Sequence, residues 1–260
     1  MTFSKAELED LGRAKVLLET PGIAMRLSSL AGAPVEKGLA MLPARARTAV
    51  HAATEKALMT ALSVAVRSLG EGTHRLSSDR MHKMAVATSG AIGGAFGLAA
   101  LGVELPISTG LILRSIADIA ASEGENPRHL DTKLECLTVF ALGSPKDRRD
   151  DAAESGYFAA RTALAGAVTE ATKHLAQKGL TKGGGPALVR LVSLIAARFG
   201  IVVSEKAAAQ LVPVIGAAGG ALINTIFIGH YQDMARGHFI VRRLEKIHGA
   251  EPVREAYDKL

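Results

Sequence analysis

The sequence predicts an all-α protein, folded as a single multi-helix bundle with apolar helices rich in Gly and Ala at its centre. The alternation of apolar and polar residues that marks β-strands is nowhere sustained. Aromatic residues make up 4% of the 260 residues and Trp is absent, so the core must be built from Ala, Leu, Val, Ile and Gly. That composition favours packed helices. Two uncharged stretches also share the pattern Gly-Ala-x-Gly-Gly-Ala, at 90–95 and 216–221.

The first 80 residues predict amphipathic helices. Ser4 and Glu7 have the spacing of an N-capping box, and Thr20-Pro-Gly22 ends the helix that they begin. Two short helices are expected at 22–30 and 35–41, and a longer one at 46–69. The basic residues of this longer helix are Arg45, Arg47, Lys56 and Arg67. Such a helix is typical of a solvated bundle surface or, as the alternative, of a membrane surface.

Residues 81–260 continue the same single domain as its core. Between Met84 and Val103 lie twenty residues without a charge, a length that could span a bilayer. Pro106 is expected to break this helix and to begin the next one, at 106–122, because Pro is tolerated in the first turn. A short helix follows at 130–142, before an exposed charged connection.

The remaining helices are separated by glycine and proline. A helix at 152–178 is followed by Lys182-Gly-Gly-Gly-Pro186, the best candidate for a hinge, and Pro186 begins a long helix. Residues 207–232 contain twenty-six uncharged positions interrupted by Pro213. A polar helix then runs to about His248.

The glycine-rich segments leave two interpretations open. Glycine inside a helix costs about 1 kcal/mol relative to Ala, so these residues are expected where helix backbones approach closely. The helices either pair within a lipid bilayer or form a central hairpin inside a soluble bundle. We favour the soluble bundle, because Gly and Ala are poor lipid-facing residues compared with Leu and Phe.

The net charge and the cysteine content indicate the partners and the cellular location. The net charge of +6 fits an anionic phospholipid surface, whereas nucleic acid is an unfavoured partner because aromatics are few and the basic residues are dispersed. The single cysteine, Cys136, lies in an apolar run and is expected to be buried and unreactive. The N-terminus lacks the apolar stretch of a signal peptide. We therefore expect a cytoplasmic protein, peripheral at the inner membrane, with integral insertion as the alternative.

Polar residues within the apolar helices are the candidate sites, since burying them requires partners. Arg114 and Asp118 are four residues apart on one helical face and are expected to form a structural ion pair. Glu104 and Glu123 flank the same helix and are expected to be capping or exposed acids and not catalytic ones. Glu104 and Arg114 are also candidate ligand or polar-network residues.

The last polar helix carries two sets of such residues. The first set is expected to line one side of the helix in a buried polar network against the 106–122 helix, and comprises Asn224, Tyr231, His238, Arg242 and Glu245. On another side, His230 and Asp233 have a spacing that could supply two metal ligands, although partner ligands would have to come from other helices. The network interpretation is favoured over metal binding.

Sequence motifs for catalysis are missing. The chain has no Gly-x-Ser-x-Gly elbow, Walker loop, HExxH pair or dinucleotide fingerprint. An enzymatic activity is therefore unsupported, and no cofactor is indicated.

Several short sequence motifs from about Met81 onward resemble those of the EcsC protein family. This bacterial family is named for an operon that also encodes an ATP-driven transporter. The resemblance is carried by Gly93-Gly-Ala-Phe-Gly97, Glu104-Leu-Pro106, Arg114-Ser-Ile-Ala-Asp118, Glu123-Gly-Glu125, Cys136-Leu-Thr-Val-Phe-Ala-Leu-Gly143, Tyr157, Arg198-Phe-Gly200, Val203-Ser-Glu-Lys206, Gly216-Ala-Ala-Gly-Gly220, Asn224, His230 and Gly237-His-Phe-Ile-Val-Arg-Arg-Leu-Glu245. It implies a helical protein linked by context to membrane transport or secretion, and it implies no particular reaction.

Three functional hypotheses follow. The favoured one is a binding or adaptor protein at the inner membrane face, whose basic helices near 45–67 and 236–246 meet anionic lipid or a membrane transport protein. The second is a metal-dependent hydrolase, which requires Asp118, His230, Asp233 and His238 to converge in one pocket. The third is a carrier of an apolar ligand such as a lipid, with a cavity between the Gly- and Ala-rich helices. The oligomeric state is not indicated.

Overall fold

The computed structural model describes residues 3–19, 22–23, 25–26, 28, 39–40, 42–68, 101–143, 156–180, 184–211 and 220–260. This part of the chain is helical and contains no strand, which confirms the predicted all-α class. The helices are α1 (Lys5–Glu19), α2 (Ala44–Ser68), α3 (Leu101–Ser122), α4 (Leu130–Leu142), α5 (Gly156–Lys178), α6 (Gly185–Leu211), α7 (Gly220–His248) and α8 (Ala250–Lys259). The first glycine-rich hexamer, most of the second and most of the predicted helices at 22–30 and 35–41 lie outside the described residues.

Helix α1 begins with the predicted capping box. The backbone N–H of Ser4 donates to Glu7 Oε2 at 2.7 Å, and the N–H of Glu7 donates to Ser4 Oγ at 3.3 Å. Two of the N–H groups that a helix start leaves without partners are thereby satisfied.

The predicted break at Pro106 is wrong. Helix α3 starts at Leu101 and continues through Pro106. A proline removes the hydrogen bond to the carbonyl four residues earlier, here that of Gly102. Only this one hydrogen bond is lost, and the packing of α3 against α2, α4 and α7 is enough for the helix to continue.

The C-terminal part follows the prediction except for one added element. The described part of α6 reaches Leu211, and α7 runs from Gly220 to the predicted end at His248. Helix α8 adds an element that the sequence analysis did not predict. Gly249, with φ of +88°, makes the turn between α7 and α8 in a conformation that favours glycine.

One hydrophobic core includes residues from all of these helices. Helix α7 packs against α1, α3, α4, α6 and α8, and α2 packs between α3 and α6. Aromatic rings of α4, α6 and α7 meet at the centre, where Phe140, Phe199 and Tyr231 have centroids 5.0 to 5.6 Å apart. The central position of α7 explains why its polar residues have to find partners inside the protein.

The helix directions give the bundle two distinct ends. Lys206 near the end of α6 and Asn224 near the start of α7 both bond to Glu104 in the first turn of α3. We call this the apolar end. Helix α2 also starts there, because Val66 near its other terminus accepts a hydrogen bond from Lys133 of α4, beside the α3–α4 connection. The opposite end, where α7 meets α1, α4 and α8, is called the charged end.

Candidate functional site

The apolar end has a buried ion pair beneath its surface. Lys206 Nζ donates to both carboxylate oxygens of Glu104 at 3.0 Å, and Asn224 Nδ2 donates to Glu104 Oε1 at 2.9 Å. Lys206 is fully buried, and its Nζ lies 4.6 Å from the centroid of the Phe227 ring. Burial lowers the pKa of Lys206 against the opposing effect of Glu104. Glu104 therefore belongs to a buried polar network between three helices, and the expectation that it is an exposed acid is wrong.

The surface around this ion pair is apolar. Four large hydrophobic side chains within about two turns of it are exposed: Val103 (69%), Ile107 (51%), Ile201 (41%) and Leu222 (41%). They lie on α3, α6 and α7, where those helices begin or end. In the sequence, the uncharged stretch 84–103 leads into α3, and the uncharged stretch 207–232 joins α6 to α7. Contiguous exposed apolar surface is a feature of protein or membrane contact sites.

Two of the described helices are long and apolar enough to cross a membrane. They are α3 over Gly102–Ser122 and α6 over Gly185–Ala209, and about half of each is buried inside the bundle. Core helices of soluble proteins pass the same test of length and composition. The fold is therefore compatible with a soluble or a peripheral protein. The two helices are equally expected in a soluble bundle and in a protein inserted in a membrane.

The charged end contains a chain of three hydrogen-bonded side chains. His238 Nε2 lies 3.1 Å from Glu135 Oε2, and its Nδ1 lies 3.0 Å from the hydroxyl of Tyr157. Burial raises the pKa of Glu135, but the hydrogen bond from His238 and the charges of Arg242 and Arg161 outweigh it and bring that pKa to about 2. Burial lowers the pKa of His238. Neutral His238 thus donates from Nε2 to the carboxylate and accepts from Tyr157 at Nδ1.

Arginine residues tie this chain to neighbouring helices. Arg242 of α7 forms ion pairs with Glu135 at 3.0 Å, Asp131 at 2.9 Å and Glu125 at 3.2 Å. Arg161 of α5 binds Glu245 through two parallel hydrogen bonds of 2.7 and 2.8 Å. Bidentate guanidinium–carboxylate pairs fix the geometry of both partners. Arg242 of α7 and Arg161 of α5 are therefore held within the protein by carboxylates of neighbouring helices.

A cavity of about 250 Å³ opens beside this network, between α4, α5, α8 and the last turns of α7. Its polar lining includes Arg161, Glu245 and Glu135, and α8 contributes Glu251 and Arg254. Phe158, Leu164 and Val168 supply an apolar wall. The cavity expected of a lipid carrier, between the Gly- and Ala-rich helices, falls mostly on residues outside the described part of the chain.

The structure gives the candidate catalytic residues separate partners. His230 Nε2 bonds to the carbonyl of Gly143 at 2.7 Å, Asp233 pairs with Arg26 at 3.2 Å, and His238 belongs to the chain described above. Asp118 is half-buried and has contacts of its own. Among the residues that the structure describes, no three His, Cys, Asp or Glu side chains are grouped in a way that could hold a metal ion.

The polar residues expected on α7 lie inside the bundle. Asn224, Tyr231 and His238 are buried, and Arg242 and Glu245 are each 13% exposed. Contacts with α3 include Gln232 Nε2 to Ser115 Oγ at 2.8 Å and the Asn224–Glu104 bond. Arg114 is exposed, whereas Asp118 is half-buried and has a contact of its own, so the structure does not support the predicted Arg114–Asp118 ion pair.

Sequence reasoning missed four residues that hold these sites together. Glu135 and Arg161 were not singled out, and Tyr157 and Lys206 were noted only as parts of the motifs that resemble the family. The one available signal was that Glu135 and Lys206 each directly precede a long uncharged run. Charged residues next to such runs require partners, but the sequence does not identify them.

The sequence matches the model of a family described as the EcsC protein family over residues 6–244. The chain belongs to the EcsC family. No curated protein and no solved structure shows significant similarity to it. The EcsC match includes the Glu104–Lys206 pair and the Glu135–His238 pair, whereas Glu245 and all of α8 lie beyond it.

Proposed function

We propose that this EcsC-family protein is a membrane-associated binding or adaptor protein, linked to transport or secretion, whose apolar end enters the surface of an anionic membrane. The observation that carries the proposal is the exposure of Val103, Ile107, Ile201 and Leu222 at one end of the bundle. Burying one such side chain in lipid gains about 1.5–3 kcal/mol, so four of them suffice for reversible attachment. The link to transport comes from the family resemblance.

Basic residues beside this end supply the preference for anionic lipid. Arg45 and Arg47 lie in the first turn of α2, which starts at the apolar end, and both are exposed. Each basic residue close to an anionic surface contributes about 1 kcal/mol. The other basic region expected to meet lipid, near 236–246, fits less well, because Arg242 and Arg243 are engaged in ion pairs with acidic residues.

Flotation with vesicles tests the proposal. We expect the protein to float with vesicles that contain phosphatidylglycerol, to float weakly with pure phosphatidylcholine, and to lose part of its binding as salt screens the charges. Carbonate washing should release it from membranes, since peripheral attachment does not survive that treatment. Retention in the washed pellet would instead support integral insertion.

Matched variants test which end of the bundle contacts the membrane. Ile107→Asp, at a residue 51% exposed at the apolar end, should weaken binding about tenfold or more. Ile247→Asp, at a residue 55% exposed at the charged end, should leave binding unchanged. Arg45→Gln should reduce the preference for anionic lipid, and Arg67→Gln at the other terminus of α2 should not.

Two results would overturn the proposal. Equal losses from the two isoleucine variants would mean that the apolar end is not the contact. Binding to native inner membranes but to no pure lipid vesicle would identify a membrane protein, such as a transporter, as the receptor in place of lipid.

A further inference from the structure

The cavity at the charged end combines charges of both signs. Its lining contains the carboxylates of Glu135, Glu245 and Glu251 and the guanidinium groups of Arg161 and Arg254. A third guanidinium lies immediately behind, since Arg242 is paired with Glu135 at 3.0 Å. The charges of the cavity are therefore balanced, which distinguishes it from a site for a simple anion or cation.

Most of these charges are fixed in position before any ligand arrives. Arg161 and Glu245 hold each other through two parallel hydrogen bonds, and Glu135 is held by His238 and Arg242. Groups that are already oriented cost little ordering entropy when a ligand binds. The cavity thus offers fixed donors and fixed acceptors at the same time.

Part of the cavity lining is apolar. Phe158, Leu164 and Val168 of α5 form this part. The guanidinium groups of Arg161 and Arg254 lie 5.9 and 5.4 Å from the centroid of the Phe158 ring, so the cations adjoin the apolar wall. A ligand that matches this surface carries charged groups next to an apolar group.

The size of the cavity restricts the ligand further. A volume of about 250 Å³ is below the range of about 300–1,000 Å³ that is usual for drug-sized ligands. A single anion repelled by three carboxylates, or a single cation repelled by the guanidinium groups, would be disfavoured. A small molecule with one positive and one negative group can place each charge beside lining residues of the opposite charge.

We propose that this cavity binds a small zwitterion, namely an α-amino acid with an apolar side chain. The carboxylate of the ligand faces Arg254 and Arg161, its ammonium group faces Glu251 and Glu135, and its side chain packs on Leu164 and Val168. The site lies at the opposite end of the bundle from the proposed membrane contact and does not depend on it.

Isothermal titration with three compounds of the same shape tests the proposal. Leucine carries both charges, 3-methylbutylamine carries only the ammonium group, and 4-methylpentanoate carries only the carboxylate. We expect leucine to bind and each analogue to bind at least about tenfold more weakly, because each analogue lacks one of the two charged groups that the lining attracts and keeps the one that part of the lining repels. Equal affinities for all three, tighter binding of either analogue, or no heat with leucine would overturn the proposal.

Variants on α5 locate the binding. Ala165 lines the cavity and is exposed, so Ala165→Phe should block the opening without disturbing the core, and leucine binding should be lost. Ala163→Phe is the matched control, because Ala163 is also exposed on α5 but does not line the cavity. Loss of binding in both variants, or in neither, would contradict this location.

Removal of the Arg254 charge tests whether leucine is bound through its carboxylate. Arg254→Gln should weaken binding of leucine about tenfold, whereas Arg190→Gln, which removes an exposed arginine of α6 paired with Glu170, should have no effect. Thermal unfolding of each variant shows whether the fold is retained. Unchanged leucine affinity in folded Arg254→Gln would rule out the assigned orientation of the carboxylate.

Discussion

Lys206 and Glu104 form an ion pair with N–O distances of 3.0 Å, and Lys206 is fully buried while Glu104 is 8% exposed. They belong to helices α6 and α3 and are separated by 102 positions in the sequence. Removing one partner of such a pair leaves the other charge buried without compensation. This pair is therefore expected to be a strong determinant of how the apolar end packs.

Lys206→Met should lower the free energy of unfolding by about 3–5 kcal/mol, because Glu104 would retain only the hydrogen bond from Asn224. The double variant Glu104→Gln/Lys206→Met should recover much of this loss, since it removes both charges. Urea unfolding followed by circular dichroism measures the difference. A single variant as stable as the wild type would show that the pair is not a structural requirement.

Gly237→Ala should destabilise the contact between α7 and α1. A Cβ atom at Gly237 would lie 2.6 Å from Leu18 Cγ and 3.1 Å from the carbonyl oxygen of Ala14. Overpacking of this kind costs about 1–3 kcal/mol. At Gly229 in the same helix, an added Cβ would meet nothing within 4 Å, so Gly229→Ala should instead be stabilising by up to about 1 kcal/mol. Thermal unfolding of the two variants provides the comparison.

His230 should make the protein less stable in mild acid. Burial, together with the charge of Arg26, lowers the pKa of His230 to about 4 despite the hydrogen bond to Gly143, and Nδ1 has no hydrogen-bond partner. The unfolded chain, with a pKa near 6.5, binds the proton first. Stability is thus full above pH 6.5 and falls as the pH drops towards 4, by about 3 kcal/mol at most.

The His230→Gln variant provides the control for that effect. Glutamine keeps an N–H donor for the Gly143 carbonyl but has no charge to gain. The variant should therefore lose less stability than the wild type between about pH 7 and about pH 5, as measured by urea unfolding. Parallel pH profiles for the two proteins would contradict the assignment.

Cys136 should be inert towards thiol reagents in the folded protein. It is fully buried, and burial and the charge of Glu135 raise the pKa of its thiol. The thiolate is the reactive form, so both accessibility and ionisation oppose modification. Ellman's reagent should react only in urea, with a rate that follows unfolding. Rapid reaction in native buffer would show that α4 opens locally.

The helices themselves were largely predictable because the signals are local. The capping box of Ser4 and Glu7 and the ends of α4 follow from residues close together in the chain. Pro106 was misjudged because a proline inside a helix removes only one backbone hydrogen bond, which packing can offset. Whether it begins a new helix depends on the packing of α3, which the local sequence does not encode.

The pairing of polar residues was much harder to predict. The helical spacing indicated that Asn224, Tyr231 and His238 share a face of α7, and all three are buried. It gave no indication that His238 bonds to Glu135, which is 103 positions away, or that Arg161 binds Glu245, 84 positions away. A charged residue in a helix has many potential partners, and only packing selects among them.

The sequence by itself determined that this protein is helical, that it belongs with the EcsC family and that its long apolar stretches alternate with charged ones. Hydrophobic periodicity, capping residues and helix breakers act within a few positions, so they can be read along the chain. The tertiary structure alone decided that Glu104 pairs with Lys206, that Val103, Ile107, Ile201 and Leu222 are exposed near this pair, and that a charge-balanced cavity forms at the other end. Each of these features joins helices distant in sequence, because their relative placement is set by the packing of the whole core.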